Sequence, residues 1–161
     1  MSTNAQAAIA NGNGVHINLL KLGFQIREWL GRFPLSVLQL GMRIGVGAVF
    51  FNAGLLKYNS FEFAVKLFEE EYKLPLLDPA VAARMAMINE LTIPIFLFLG
   101  LATRIAAIPM LGMVAVIQIF VYPGAWTDHL FWATTLVFLV TRGPGVFSLD
   151  HLIEKRFQTP R

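Results

Sequence analysis

The sequence of 161 residues contains no cysteine. Thiol–disulfide relay chemistry within this chain and any metal cluster held by cysteine thiolates are therefore excluded. Charged residues are also scarce, at 14% of the chain, whereas soluble domains carry roughly a quarter. The net charge of +3 comes without a dense basic patch, so the sequence does not predict binding to nucleic acid.

The N-terminal stretch MSTNAQAAIANGNG lacks the apolar core of a secretory signal. It is polar and rich in glycine and asparagine, which predicts a disordered tail over residues 1–16. The predicted membrane spans also lack a facing pair of histidines, because His16 and His151 lie outside them. Haem is therefore not predicted, and neither is a metal site.

Apolar residues dominate the composition of the sequence. They make up 56% of the chain, with 14 phenylalanines and a mean hydropathy of +0.61, which indicates a membrane protein. Four apolar stretches predict four spans, over residues 34–56, 79–101, 105–122 and 128–141. The fourth is short, since its 14 residues cover only about 20 Å as a helix. The predicted fold is an all-α, integral membrane four-helix bundle with flanking amphipathic interfacial helices.

Residues 17–33, ahead of the first span, mix apolar side chains with four charged ones. This pattern is typical of an amphipathic helix lying in the membrane interface. A short lead-in helix outside the membrane is the alternative.

A second amphipathic segment follows the first span. Its apolar residues recur at helical spacing from Phe61 to Tyr72, and Ser60 is the predicted N-cap. We expect this helix on the membrane surface, with the acidic run 69–71 as a solvated face and not a metal site.

The chain ends in a third amphipathic segment. Gly143-Pro144-Gly145 predicts the end of the fourth span. Ser148 is the predicted N-cap of a short interfacial helix. The bundle domain is expected over 34–152, followed by a cytoplasmic tail over 153–161.

Lys and Arg residues favour one side of the membrane. Eight basic residues flank the spans on the side of both termini, and the opposite side carries basic residues diluted by acids. The positive-inside rule then predicts a multi-pass protein of the bacterial cytoplasmic membrane with both termini in the cytoplasm.

Two charges fall deep within the spans, Arg43 in the first and Glu90 in the second. An unpaired charge at the centre of a bilayer costs several kcal/mol. Counted from the cytoplasmic ends, Arg43 lies about 13 Å deep and Glu90 about 16 Å deep. The sequence therefore predicts an ion pair between them, with Glu90 and Arg43 as candidate catalytic residues.

Neighbouring residues favour a polar pocket around this pair. The small residues Gly41 and Gly45 allow close helix packing, and Pro94 leaves the Glu90 carbonyl without its helical donor. Asn89 and Gln118 lie at comparable depth. A buried ion pair that only holds the bundle together is the alternative interpretation.

Three further residues are candidates for ligand contact. Asn52 and Lys57 lie toward the outer end of the first span, where they can contact either a substrate or lipid headgroups. His129 opens the fourth span and is a candidate proton acceptor. Helix capping by the preceding Thr127 or Asp128 is the simpler interpretation of that stretch.

Three blocks together resemble the DoxX family of small bacterial membrane proteins. They are RIGVGAVFFNAGLLKY (43–58), NEL…FLGLATRIAA (89–107) and RGPGVFSLDHL (142–152). The resemblance implies a four-helix bundle in the cytoplasmic membrane. It also implies that the family's recurring charged positions correspond here to Arg43, Lys57, Glu90, Arg104 and Asp150.

Three functions follow as alternatives from the residues and the resemblance. Some relatives are subunits of thiosulfate:quinone oxidoreductase, and others are linked to oxidative-stress complexes, which implies a redox subunit that binds quinone as its cofactor. Others accompany systems that make metal-binding peptides, and QIFVYPGAW (118–126) resembles those most. That implies a non-catalytic anchor or assembly factor for soluble partner enzymes. A small oligomeric transporter is the third alternative, since glycines on the first span permit homo-oligomers.

Overall fold

The computed structural model describes residues 21–75 and 77–157. The chain divides into two compact units, Met1–Pro34 and Leu35–Arg161. In the first unit, helix α1 covers 21–31, within the predicted helix 17–33. The predicted tail 1–16 and residues 17–20 lie outside the described residues, and the interfacial position of α1 stays a prediction.

The second unit is built from helices, with no strand among its described residues. In chain order the helices are α2 (Leu35–Asn59), α3 (Phe61–Leu67), α4 (Pro79–Leu99), α5 (Thr103–Val116), α6 (Trp126–Arg142) and α7 (Leu149–Phe157). Two π-helical turns continue α3 and α5, over Phe68–Tyr72 and Ile117–Val121. Helix α7 runs past residue 152, where the predicted bundle domain ended, so residues 153–157 of the predicted tail 153–161 are helical. The rest of that tail, 158–161, lies outside the described residues.

Three of the described helices are long and apolar enough to cross a membrane: α2, α4, and α5 with its π-helical turn, Thr103–Val121. Each coincides with one of the first three predicted spans, which makes this a multi-pass membrane protein. Helix α6 occupies the fourth predicted span, but its 17 residues extend only about 25 Å. A hydrocarbon core is about 30 Å thick, so a fourth crossing stays a prediction.

The four long helices pack in a closed ring of neighbours. Helix α2 contacts α4 and α6, and α5 contacts the same two helices from the other side. The buried core between them is formed mainly by Val46, Phe50, Leu97, Met110, Val114, Leu136 and Leu139. Large apolar side chains also cover the outside of the ring, as with Ile105 (72% exposed) and Phe131 (73%). In helices that cross a membrane, such side chains contact lipid.

Consecutive long helices are antiparallel, so the ring has two distinct ends. At one end, which we call the α7 end, the turn between α4 and α5 meets α7: the Asp150 amide donates to the Gly100 carbonyl at 2.9 Å. At the other, which we call the α3 end, the π-helical turn after α3 meets the end of α5 through Tyr72 and Tyr122.

Helix ends show which capping predictions hold. Asp78 accepts hydrogen bonds from the Ala80 and Val81 amides at 3.0 and 3.1 Å, and Pro79 is the first residue of α4. The Ser148 hydroxyl accepts from the His151 amide at 3.2 Å, which caps α7. The prediction that Ser60 caps α3 is correct for its position but wrong for its side chain. Ser60 occupies the N-cap position of α3, but its side chain makes no capping hydrogen bond.

Candidate ligand-binding cavity

A cavity of about 390 Å³ lies between the four long helices toward the α3 end. Its walls are mostly apolar and come from α2, α4, α5, α6 and the segment after α3. The polar groups that reach it are Lys57, Asn89, Glu90, His129 and two tyrosines, Tyr72 and Tyr122. Apolar walls with a few convergent polar groups are the usual form of a small-molecule site.

Lys57 and Glu90 form an ion pair in the wall of this cavity. The Lys57 ammonium lies 2.7 Å and 2.9 Å from the two carboxylate oxygens of Glu90. The Glu90 side chain is 5% exposed and that of Lys57 is 18% exposed. Helix α2 approaches closely because residue 54 is glycine: a side chain there would start 2.9 Å from the Glu90 Cβ.

The predicted ion pair between Arg43 and Glu90 is wrong. Gly54 is the α2 residue that contacts the Glu90 backbone, and Arg43 precedes it by 11 residues, or about 16 Å along the helix. The depth count assumed that α2 and α4 end at the same level. In the structure α2 starts well beyond the end of α4, since Gly47 already faces Phe98.

Arg43 is instead buried at the α7 end. Its Nη2 donates a hydrogen bond to the Phe147 carbonyl, and its guanidinium packs against Gly100 in the turn between α4 and α5. Gly100 has a φ of +65°, and a Cβ there would overlap the Arg43 guanidinium. Only glycine both adopts this φ readily and leaves room for the guanidinium, so the conformation of the turn and the position of Arg43 depend on each other.

His129 and Gln118 form a second polar pair beside the cavity. The His129 Nδ1 lies 2.7 Å from the Gln118 Oε1, and the Gln118 amide nitrogen donates to the Pro123 carbonyl at 2.9 Å. The Gln118 oxygen can only accept, so Nδ1 carries the proton and Nε2 is left as an acceptor when the ring is neutral. His129 is 4% exposed. The capping alternative does not hold, because α6 begins at Trp126, ahead of Thr127 and Asp128, without a side-chain cap.

Aromatic residues close the cavity at the α3 end. Phe68, Tyr72 and Tyr122 pack edge to face in sequence, with centroid distances of 4.9 Å and 5.8 Å. The two tyrosine hydroxyls lie 3.4 Å apart. Burial, and then the hydrogen bond with Tyr122, raise the pKa of the Tyr72 phenol above its ordinary value. Tyr72 therefore keeps its proton and stays a hydrogen-bond donor at physiological pH.

Besides Arg43 and Gln118, three of the predicted site residues lie outside this cavity. Asn52 is on the exposed side of α2. Asp150 caps α5, since its two carboxylate oxygens accept from the Ala102 and Thr103 amides at 2.7 Å and 3.0 Å. Arg104 is exposed at the α7 end, where its guanidinium borders Gly143.

The structure thus brings Asn89, Glu90, Lys57 and His129 to one cavity, with Gln118 beside it, and leaves Arg43 outside. The aromatic wall was missed, above all Tyr72, Tyr122 and Trp132. Side-chain direction is a signal in the sequence that bears on the pairing, although it does not give the stagger of the helices: helical side chains lean toward the N-terminus of their own helix. In antiparallel α2 and α4, this rule points Arg43 and Glu90 apart, and Lys57 and Glu90 toward each other.

Comparison with known proteins agrees with the membrane helices. A family profile described as DoxX matches residues 38–123, more than half of the chain. An uncharacterized protein of Haemophilus influenzae is 28% identical over 120 residues, which cover 68% of this chain and 79% of that protein. No solved structure matches the chain. The match begins within α2 and ends just after α5, and so contains Lys57, Asn89, Glu90 and Gln118. The chain belongs to the DoxX family.

Proposed function

We propose that this protein is an inner-membrane subunit of a redox or oxidative-stress-related complex, and that its cavity binds a quinone. The observation that carries the proposal is the Lys57–Glu90 ion pair in the wall of an apolar cavity of about 390 Å³ between membrane-crossing helices. Ionisable residues inside a membrane protein mark functional sites by default. The volume falls in the lower part of the range for small-molecule pockets, which suits a single substituted ring.

In this proposal α6 is a fourth span, and the four long helices form a membrane bundle. The closed ring of contacts among α2, α4, α5 and α6 supports this arrangement. Helices α1 and α7 lie in the interface, with both termini in the cytoplasm. The α7 end then faces the cytoplasm and the cavity lies toward the opposite surface.

Each polar group in the cavity has a role in the proposal. Lys57 donates a hydrogen bond to one ring oxygen and stabilises the negative charge that reduction places there. Glu90 holds and transfers a proton, because a positioned carboxyl group is a suitable acid and base. Asn89 and the Tyr72 hydroxyl are the remaining donors to ring oxygens, and the His129 Nε2 can accept a proton. The two electrons that reduce a bound quinone would come from a redox group of a partner protein, and the two protons that it takes up would come from water, passed on by Glu90 and His129.

The test is quinone binding by the full chain in lipid nanodiscs. Decylubiquinone is titrated against the protein, with binding followed by quenching of tryptophan fluorescence, since Trp132 lines the cavity. We expect saturable binding that Glu90→Gln weakens at least tenfold, about the value of one charged hydrogen bond. Glu62→Gln, a matched change at an exposed position on α3, should leave binding unchanged. No saturable binding by the unaltered protein would contradict the proposal.

A membrane anchor for soluble enzymes is the second candidate. Helix α7 favours it, because Leu152 and Phe157 are 60% and 77% exposed and its last turn is basic. Mild-detergent purification followed by mass spectrometry separates the two functions. A soluble enzyme at fixed ratio without quinone would favour the anchor, and stoichiometric quinone lost in Glu90→Gln would favour the redox subunit.

A further inference from the structure

A second apolar space adjoins the cavity on the outside of the ring. It is a groove of about 730 Å³ between α2 and α6, with walls formed by Val37, Gly41, Gly45, Phe131, Thr135 and Phe138 among others. Val49 and Trp132 line both the groove and the cavity. The two spaces therefore approach each other at these two residues.

The groove is open because of two glycines. A Cβ built on Gly41 or on Gly45 would meet no other atom within 4 Å. The groove is also free of unsatisfied hydroxyl groups, since Thr134 and Thr135 donate to carbonyls of their own helix, as with Thr135 to Phe131 at 2.8 Å. A surface of this kind within a membrane-crossing region suits an apolar chain and offers nothing to a polar partner.

We infer that the groove between α2 and α6 holds the apolar tail of the same ligand whose ring occupies the cavity, and that Trp132 lies at the entrance between the two. This inference rests on the proposed function. The ligand class is then narrowed to lipids with a compact, hydrogen-bonding head and a long apolar chain. Such a molecule reaches the site from the bilayer, between two helices, and not from water.

Volume supports two compartments for one ligand. The cavity of about 390 Å³ holds a ring but not a membrane quinone with its full tail, because pockets for drug-sized molecules extend to about 1,000 Å³. Cavity and groove together provide that larger space. Trp132 is half-buried where the two spaces approach each other, and its ring packs against Phe50 at 5.7 Å and His129 at 5.3 Å between centroids.

The test uses two photoreactive quinones on the full chain in nanodiscs. The head probe is a tailless benzoquinone with a diazirine on the ring, and the tail probe is a decylbenzoquinone with the diazirine at the chain end. Cross-linked peptides are then identified by mass spectrometry. We expect the head probe to label residues of the cavity wall. The tail probe should label the α2 and α6 residues that line the groove.

Matched glycine variants decide whether the groove itself is used. Gly45→Leu places a side chain in the groove at a position where a Cβ meets nothing within 4 Å, and it should reduce tail-probe labelling to background, while head-probe labelling persists. Gly112→Leu on α5 is the control, since a Cβ there also meets nothing within 4 Å and the residue lines neither space. Labelling by both probes should be unchanged in that variant.

The remaining outcomes overturn the inference in distinguishable ways. Tail labelling spread over the lipid-facing sides of α4 and α5, with head labelling in the cavity, would reject the groove and keep the quinone site. Absence of labelling by the head probe would reject the proposed function itself. A change in oligomeric state in Gly45→Leu, with tail labelling intact, would make the groove an interface between copies of this chain.

Discussion

At the residue scale, Lys57 and Glu90 each offset the cost of burying the other's charge. Neither could stay ionised alone in an apolar wall without several kcal/mol of desolvation. Their geometry is good, with the ammonium bound to both carboxylate oxygens at 2.7 Å and 2.9 Å. Such a pair adds little net stability over a well-packed apolar pair, so its presence beside a cavity is better explained by binding than by folding.

Neutral variants of the pair separate stability from binding. Glu90→Gln alone leaves Lys57 buried and unpaired, and we expect a loss of about 3–5 kcal/mol of stability. The double variant Lys57→Met/Glu90→Gln should recover most of that loss, because no charge remains. Thermal unfolding in detergent measures both.

Quinone binding by the double variant is the deciding readout. We expect a refolded, stable protein that binds decylubiquinone as weakly as Glu90→Gln. Should the double variant bind as well as the unaltered chain, the ion pair serves only to hold α2 and α4 together.

At the element scale, hydrogen bonds from α7 hold the turn between α4 and α5 in place. Asp150 accepts from the Ala102 and Thr103 amides, and its own amide donates to the Gly100 carbonyl. Arg43 then packs on the same turn from α2. The first amides of α5 are thus capped from a helix 47 residues further along the chain, which no local capping rule would have found.

Removal of this cap should loosen one end of the bundle. We expect Asp150→Ala to cost about 1–2 kcal/mol, as for other lost N-caps, and to speed amide hydrogen exchange at residues 102–105. Asp78→Ala is the matched control: it removes the cap of α4 and should speed exchange only at the start of α4. Unchanged exchange at 102–105 in Asp150→Ala would show that the turn does not depend on α7.

The two π-helical turns are a second feature at this scale. Phe68–Tyr72 and Ile117–Val121 both end α-helices and both contribute to the cavity wall. A π-helical turn changes the direction of the side chains that follow it, and such turns occur often at functional sites. They bring Tyr72 and Tyr122 together and place Gln118 against His129.

At the scale of the whole molecule, the number of crossings decides on which side of the membrane each terminus lies. Three helices meet the length for a span, and α6 falls short by itself. With four crossings both termini share one side, and with three they are separated. The lack of cysteine in the chain makes single-cysteine labelling unambiguous.

Three single-cysteine variants test the topology: Lys21→Cys, Glu70→Cys and Lys155→Cys. With four spans, we expect a membrane-impermeant maleimide added to intact spheroplasts to label only position 70. Positions 21 and 155 should react only after the membrane is opened. Labelling of position 155 in intact spheroplasts, with position 21 protected, would indicate an odd number of crossings.

Local sequence patterns were enough to predict the membrane class, the helices and most of their ends. Hydropathy, proline and glycine are local signals, so the start of α4 at Pro79 and the end of α6 at Gly143 could be predicted from a few neighbouring residues. The need of Glu90 for a partner could also be predicted, because an unpaired charge within an apolar span is costly. Asn89, Lys57 and His129 were candidates because of their places in the predicted spans or at their ends.

The partner of each charge became known only from the packing of the helices. The choice depends on the stagger of α2 against α4, which is set by the contact of Gly54 with Glu90 and of Gly47 with Phe98. That stagger places Arg43 with the α7 end and Lys57 with Glu90. The groove between α2 and α6 and the aromatic wall likewise arise from residues far apart in the chain. Side-chain pairing is a property of helix packing, and a hydropathy pattern carries no information on how far one helix slides along another.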